Sequence, residues 1–341
     1  MADCGMWIFV DLKNLPWEND NGHRHDRIFQ PDCRQHVRRK TFDIYSISIV
    51  LFALVSPFFP GLTKQAKADV FDSKQNASLP DVVFAGEAVS RLQNEIVLQK
   101  NVGRCACGPC AIFNAFQFGS AALTNLAWSL PGKTPADKVH SLIAMFGGKP
   151  SALARQQPRY LADGGMWGED VAPFINDWLD GSAPPVHGER LTLRWNETPR
   201  EQVRRVYGEL RHSLQQGFPP VINLQSYIAP RNLHAGWNWL DGHFATVLAV
   251  QDSLAKNATG FSMWVADSES GRVLQVSVSA AQDHSFRAIT SEQVDRNGRE
   301  IDGWSEGHPY LTIRSPKLEG ILEGDAASRQ TICVLQYLAH R

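Results

Sequence analysis

An uncharged apolar segment near the N-terminus decides which part of this chain is available to fold as a globule. The segment runs from Ile44 to Leu62, follows the basic run at 38–40 and precedes the small-x-small site Ala66-Lys67-Ala68. A basic region, an apolar region and such a site are the three parts of a secretory signal peptide. We therefore expect cleavage near Ala68 and an exported product, either periplasmic or secreted.

The same segment has a second interpretation as a membrane anchor, because a helix of about 20 apolar residues can cross a bilayer. Pro57 and Pro60 interrupt the end of the segment and shorten its strongly apolar part. A cleaved signal is therefore the preferred interpretation, with no stable membrane insertion after cleavage. A membrane anchor is the main alternative, and a buried core helix is the weakest one.

These considerations divide the chain into three parts. Residues 1–36 are polar and mixed in charge, so they are predicted to be disordered, or to precede a true translation start near Val37. Residues 37–68 form the predicted signal peptide. Residues 69–341, which number 341 − 68 = 273, are predicted to form one domain.

The charge and the cysteine content exclude several classes of protein. The chain has 34 Lys and Arg against 35 Asp and Glu, a formal charge of −1, which argues against a nucleic-acid or polybasic membrane partner. Its six cysteines are too few for a disulfide scaffold in 341 residues. The sequence leaves the oligomeric state open.

Helix signals precede strand signals along the predicted domain. Helical spacing or helix start signals mark Leu92 to Lys100, a segment opening at Thr134, Ala172 to Leu179, and Thr198 to Gln216. Short β-branched and aromatic runs follow at Val221 to Leu224, His243 to Val250, Phe261 to Ala266, Val273 to Val278, Tyr310 to Ile313 and Thr331 to Tyr337. This order predicts an α+β fold, with a helical layer on a mainly antiparallel sheet.

The most informative motif is the cysteine cluster R-C-A-C-G-P-C, which begins at Arg104. Pro109 suits the first turn of a helix, where a missing N–H does no harm, so Cys107 is predicted to lie at a helix N-terminus. There the helix dipole and the unpaired N–H groups favour a thiolate. A nucleophilic cysteine also needs a base, normally a histidine, and a group that orients this base.

Two later motifs offer these partners. D-G-H begins the apolar run that starts at His243, and the run F-S-M-W-V-A ends at Asp267. If the two strands are antiparallel neighbours, the beginning of one lies beside the end of the other. The sequence therefore predicts a triad of Cys107, His243 and Asp267.

The blocks C-G-P-C-A-I-F-N-A-F, G-F-P-P-V-I-N-L, D-G-H-F-A-T-V-L-A-V and W-V-A-D-S-E-S-G together resemble papain-like cysteine peptidases of the bacteriocin-processing, double-glycine leader type. The resemblance covers roughly residues 99–271. It implies a papain-like fold, a peptide or amide substrate and no cofactor or metal. It also implies that Cys107 is the nucleophile, His243 the general base and acid, and Asp267 the orienting residue.

The same resemblance implies a glutamine before the nucleophile that stabilises the oxyanion, and here the spacing differs from the family. Gln99 lies eight residues before Cys107, whereas Asn101 lies six residues before it. Either side-chain amide can donate the hydrogen bond. The papain register would instead make Cys110 the nucleophile, and Cys105 is a third candidate.

Other classes remain open for the same residues. C-G-P-C is also the motif of thioredoxin-like thiol-disulfide oxidoreductases, although the segment before it is a poor strand. A zinc site built on the cluster lacks a second ligand pair, and an inactive binding protein with a peptidase fold is also compatible. In an oxidising compartment two cysteines of the cluster, or one of them and Cys333, are expected to form a disulfide.

Two aromatic or glycine-rich segments are candidates for the walls of a substrate cleft. Trp237 and Trp239 precede the predicted His243 strand, where aromatic side chains more often pack in a core. Residues 164–168, G-G-M-W-G, are predicted to form either a mobile wall or an ordinary glycine-rich loop.

Overall fold

The computed structural model describes residues 82–84, 95–191, 197–228, 237–281, 310–315 and 331–341. The predicted N-terminal extension, 1–36, and the predicted signal peptide, 37–68, lie outside the described residues. Within the described ranges, no helix is both long enough and apolar enough to cross a membrane.

The helices of the described residues come mainly from the first half of the predicted domain. They are a 3₁₀ helix (Gln99–Asn101), α1 (Cys107–Gln117), α2 (Ala121–Ser129), α3 (Pro135–Leu142) with a π-helical continuation (Ile143–Gly147), α4 (Gly168–Leu179) and α5 (Pro199–Gln215). Capping boxes at Thr134 and Thr198, each followed by proline, start α3 and α5, as predicted.

The strands are β1 (Val82–Phe84), β2 (His187–Arg190), β3 (Val221–Ile228), β4 (Asn238–Gln251), β5 (Gly260–Asp267), β6 (Arg272–Ala281), β7 (Tyr310–Arg314) and β8 (Thr331–His340). All their pairings are antiparallel. The order β4-β3-β8-β7-β6-β5, with β5 pairing back onto β4, closes a six-stranded barrel. β1 extends the sheet beside β4, and β2 pairs with β8.

The α+β prediction is confirmed, and the six predicted strands are all present. The closed barrel was not predicted, and a barrel of this kind is not specific to papain-like proteins. One core cluster unites apolar side chains from all six barrel strands with those of α5. A second cluster packs helices α1 to α4 against the sheet, through residues such as Phe244 on β4.

Two sequence predictions about element boundaries are wrong. The segment 95–98 is not helical, because Asn114 Oδ1 accepts the Val97 N–H (3.2 Å) and the Ser268 carbonyl accepts the Gln99 N–H (2.8 Å). These tertiary hydrogen bonds replace the helical ones. Strand β4 begins at Asn238 rather than His243, because β3 pairs with the preceding residues as well.

Candidate active site

Cys107 is the first residue of α1, as the motif predicted. Ala106 is the N-cap and offers no side chain to the free N–H groups of the first turn. Pro109 has no N–H, so the N–H groups of Cys107 and Gly108 are the ones left at this helix end. The thiol therefore lies beside backbone donors that favour negative charge on sulfur or on a bound substrate oxygen.

His243 and Asp267 come together because β4 and β5 are antiparallel neighbours. Ala245 lies opposite Asp267 in this pairing. The Nε2 atom of His243 donates to Oδ1 of Asp267 at 2.7 Å. The Cys107 side chain also interacts with the ring and contributes to the pKa of the imidazole. Because Nε2 is held by the carboxylate, Nδ1 is the ring nitrogen available to the sulfur.

The environment of Asp267 holds it in the charged form. Burial by itself would raise its pKa, but the hydrogen bond and charge of His243, together with the Ser270 hydroxyl and N–H, lower the pKa to about 2. Oδ2 accepts the Ser270 N–H at 2.8 Å and also the Ser270 hydroxyl, while Oδ1 accepts the Glu269 N–H at 3.2 Å. The carboxylate is therefore fixed in both charge and orientation.

The environment of His243 favours its protonated form. Burial opposes the charge, but hydrogen bonding to Asp267 and to Cys107, together with their negative charges, raises the pKa of the imidazole well above its ordinary value. Access to solvent decreases along the triad, with exposed fractions of 9% for Cys107, 4% for His243 and 0% for Asp267. Cys107 is also buried, but it is the most accessible of the three.

Cys110, the alternative nucleophile, lies one turn into α1 and is completely buried. Burial and the neighbouring Cys107 raise the pKa of its thiol well above the ordinary value. Cys107, Cys110 and Cys333 carry free thiols, whereas Cys105 is disulfide-bonded. The expected disulfide within the cluster or to Cys333 is therefore wrong, because any such pair would use at least one of these three thiols.

The two candidate oxyanion residues differ in position. Asn101 is exposed at the end of the 3₁₀ helix. The backbone N–H of Gln99 donates to the carbonyl of Ser268, the residue after Asp267. The side-chain Nε2 of Gln99 donates to the Arg104 carbonyl at 2.7 Å. An amide nitrogen carries two hydrogens, so Gln99 retains one for a substrate. Of the two amides, that of Gln99 is the one fastened to the triad.

The glycine-rich loop 164–168 lies against the start of α1 and the residues just before it. A Cβ added to Gly108 would lie 2.3 Å from Sδ of Met166, so this methionine packs directly over the residue after Cys107. Gly165, at φ +78°, approaches the Cys105 carbonyl, which would lie 3.4 Å from an added Cβ. This packing places Met166 and Gly165 beside the cysteine cluster, and a role of the loop as the wall of a substrate cleft stays a prediction.

The tryptophans before His243 have a packing role in the structure. Trp237 is buried with Tyr227, Tyr310 and Val334, and Trp239 packs against this cluster. The Trp239 indole donates to Gln225. The core-packing interpretation is therefore the one that fits these two residues.

Three site residues were not found from the sequence. Ser270 holds Asp267, and Thr246 donates to the Ala111 carbonyl at 2.7 Å and fastens α1 to β4. Tyr160 packs against the core cluster that contains Cys107, with its hydroxyl near Gly103. No local motif marks Thr246 or Tyr160, because their roles arise from contacts distant in sequence. The S-E-S-G run after Asp267 was a possible signal for Ser270.

Among the described residues, no group of three or more His, Cys, Asp and Glu side chains is arranged to hold a metal ion. The zinc interpretation of the cysteine cluster therefore has no ligand set there. No family model, curated protein or solved structure matches the chain at a significant level.

Proposed function

We propose that this protein is a cysteine-type peptidase or amide hydrolase, or an acyltransferase, that acts on a peptide-like substrate through Cys107, His243 and Asp267. The observation that carries the proposal is the His243 ring, which is hydrogen-bonded to the buried Asp267 carboxylate and also interacts with the Cys107 side chain. A structural histidine needs one such partner, whereas nucleophilic catalysis needs both.

In the proposed reaction the Cys107 thiolate attacks the carbonyl carbon of an amide. The carbon–sulfur bond forms, the carbonyl electrons move to oxygen, and N–H groups at the start of α1 with the Gln99 amide stabilise this oxyanion. When the tetrahedral intermediate collapses, protonated His243 gives its proton to the leaving amine. His243 then takes a proton from water, or from an acceptor amine, as this nucleophile attacks the thioester carbon. The second tetrahedral intermediate collapses with cleavage of the carbon–sulfur bond, which releases the acid or the new amide and restores the Cys107 thiolate and protonated His243.

Asp267 acts through His243 in this scheme. Its carboxylate keeps a proton on Nε2, so Nδ1 exchanges the proton with sulfur and with the leaving group. A papain-like arrangement and export by the N-terminal segment belong to the same proposal. Support for the former comes from α1, which begins at the nucleophile and packs on the strand that carries His243.

The test uses the mature chain with p-nitrophenyl acetate, a small activated acyl donor, and with iodoacetamide at neutral pH. We expect a burst of nitrophenolate, one acetyl group on Cys107 and alkylation of the same residue without prior reduction, all located by mass spectrometry. Cys107→Ala and His243→Ala are expected to abolish turnover while leaving the circular dichroism spectrum unchanged.

Cys110→Ala is the matched control, because it removes a thiol from the same helix without touching the triad. Turnover that survives Cys107→Ala but not Cys110→Ala would move the nucleophile to Cys110. Insulin reduction that persists in His243→Ala would favour the thiol-disulfide oxidoreductase. A wild-type chain that neither acylates nor selectively alkylates would contradict the proposal and favour the inactive binding protein.

A further inference from the structure

The phenol hydroxyl of Tyr160 lies beside the turn that joins Gln99 to the start of α1. This turn runs from Gln99 to Cys107, and Gly103 lies at its centre, with its N–H bonded to the Gln99 carbonyl (2.9 Å). The Tyr160 hydroxyl is 3.5 Å from the position that a Cβ on Gly103 would occupy. The hydroxyl therefore lies close to the backbone of Gly103, four residues before Cys107.

The polypeptide holds Tyr160 in this position from both sides. Its N–H donates to the Gly147 carbonyl at 3.1 Å, and the following residue, Leu161, forms a two-bond bridge with Gly165 (2.8 and 2.7 Å). Its ring packs against the core cluster that contains Cys107, Cys110 and Met166. The backbone thus fixes a side chain that reaches the site from a different part of the chain.

The hydroxyl itself has no partner among the described residues. Within the described part of the chain, the Tyr160 oxygen makes no hydrogen bond. This oxygen is also not fully buried, so solvent or a ligand can reach it. Burial and the negative charges of Cys107 and Cys110 raise the pKa of the phenol to about 12. The group is consequently a donor throughout the physiological pH range.

We propose that Tyr160 is a further catalytic residue, whose hydroxyl donates a hydrogen bond to the oxyanion formed when Cys107 attacks the substrate carbonyl. This inference rests on the proposed function. It adds a side-chain donor to those already at the site, which are the second amide hydrogen of Gln99 and the N–H groups at the start of α1. No proton is transferred from the phenol; its O–H bond persists while the charge develops and then disappears.

Tyr160→Phe tests the proposal, because it removes only the hydroxyl and keeps the ring that packs on the core. With p-nitrophenyl acetate we expect kcat to fall about 10²-fold with little change in KM, the effect typical of losing one oxyanion donor. The rate of Cys107 alkylation by iodoacetamide, which forms no oxyanion, is expected to remain at the wild-type level. Tyr207→Phe is the matched control: its hydroxyl donates to the Gln251 and Asp252 carbonyls instead, so kcat is expected to be unchanged.

The outcomes separate this inference from the proposed function. An unchanged kcat in Tyr160→Phe, with active wild type, would overturn the role of Tyr160 and leave the triad intact. Equal losses of turnover and alkylation would also overturn it, because the hydroxyl would then act on the thiolate rather than on the oxyanion. A wild type without turnover would instead refute the proposed function itself.

Discussion

Replacing Asp267 with asparagine tests whether the carboxylate charge holds the site together. The wild-type carboxylate accepts from His243 and Glu269 at Oδ1 and from the Ser270 N–H and hydroxyl at Oδ2. Asparagine has nearly the same shape but supplies one oxygen and one NH₂ group. Every one of these partners donates a hydrogen bond in the wild type. The NH₂ group of asparagine, itself a donor, must therefore lie against one set of these donors.

Both orientations of the new amide damage the site. With the NH₂ group toward Ser270, the Ser270 N–H loses its acceptor. With the NH₂ group toward His243, the ring must accept at Nε2, so its proton moves to Nδ1, the nitrogen that should receive the thiol proton. In either case the negative charge that holds the imidazole protonated is gone.

The magnitude follows from the pKa and the burial of this carboxyl. A fall in pKa from 3.8 to about 2 on folding corresponds to about 2 kcal/mol of stability at neutral pH. Breaking a buried, hydrogen-bonded charge pair costs about 3–5 kcal/mol in all. Because the folded pKa is the lower one, the charge-dependent part is complete above about pH 4 and is lost as the pH falls through about 2.

The assay is urea unfolding of both proteins, followed by tryptophan fluorescence, at neutral pH and at the lowest pH at which both fold. We expect Asp267→Asn to be less stable by about 3–5 kcal/mol at neutral pH and the difference to narrow in acid. Asp170→Asn is the control with the opposite pH dependence, because burial raises the pKa of Asp170 to about 6. The stability difference between wild type and Asp170→Asn is therefore expected to widen as the pH falls. A loss of less than about 1 kcal/mol for Asp267→Asn, or full turnover, would refute the reasoning.

Two further substitutions test the packing around Cys107. Gly108→Ala places a Cβ 2.3 Å from Met166 Sδ and is expected to destabilise the folded protein by about 1–3 kcal/mol. Adding Met166→Ala should recover part of this loss. Gly208→Ala, whose new Cβ has nothing within 4 Å, should stabilise the protein slightly in the same unfolding assay. Thr246→Val removes the 2.7 Å bond to the Ala111 carbonyl and is expected to cost about 1 kcal/mol and to lower kcat. Thr312→Val, which removes an exposed 3.0 Å bond to Ser279, is its control; equal losses from the two would contradict the fastening role of Thr246.

The helix start at Cys107 and the meeting of His243 with Asp267 were predictable because each depends on short-range signals. Pro109 in a first turn locates a helix end from a few residues, and two apolar runs with polar residues at their ends predict neighbouring strands. The observed register, with Ala245 opposite Asp267, confirms that these two strands pair.

The failures have a common physical origin in long-range hydrogen bonds. Ile96 and Val97 have helical spacing with Leu92 in the sequence. In the structure, however, the Val97 N–H donates to the Asn114 side chain and the Gln99 N–H donates to the Ser268 carbonyl, so this segment follows an irregular path. Trp239 to Gly242 carry turn-forming residues, yet pairing with β3 continues β4 through them. Barrel closure likewise depends on β5 returning to β4, which local patterns do not record.

The proposed chemistry and the proposed substrate contacts reside on structurally different parts of the molecule. Thr246 joins α1 to β4, and the Ser268 carbonyl joins the 3₁₀ helix to the end of β5, so the triad and Gln99 are fastened through regular elements. Tyr160 and Met166 instead come from the connection between the π-helical turn and α4. Since loops are more mobile than the elements they connect, the position of the Tyr160 hydroxyl depends on the hydrogen bonds of Tyr160 to Gly147 and of Leu161 to Gly165 that hold this connection.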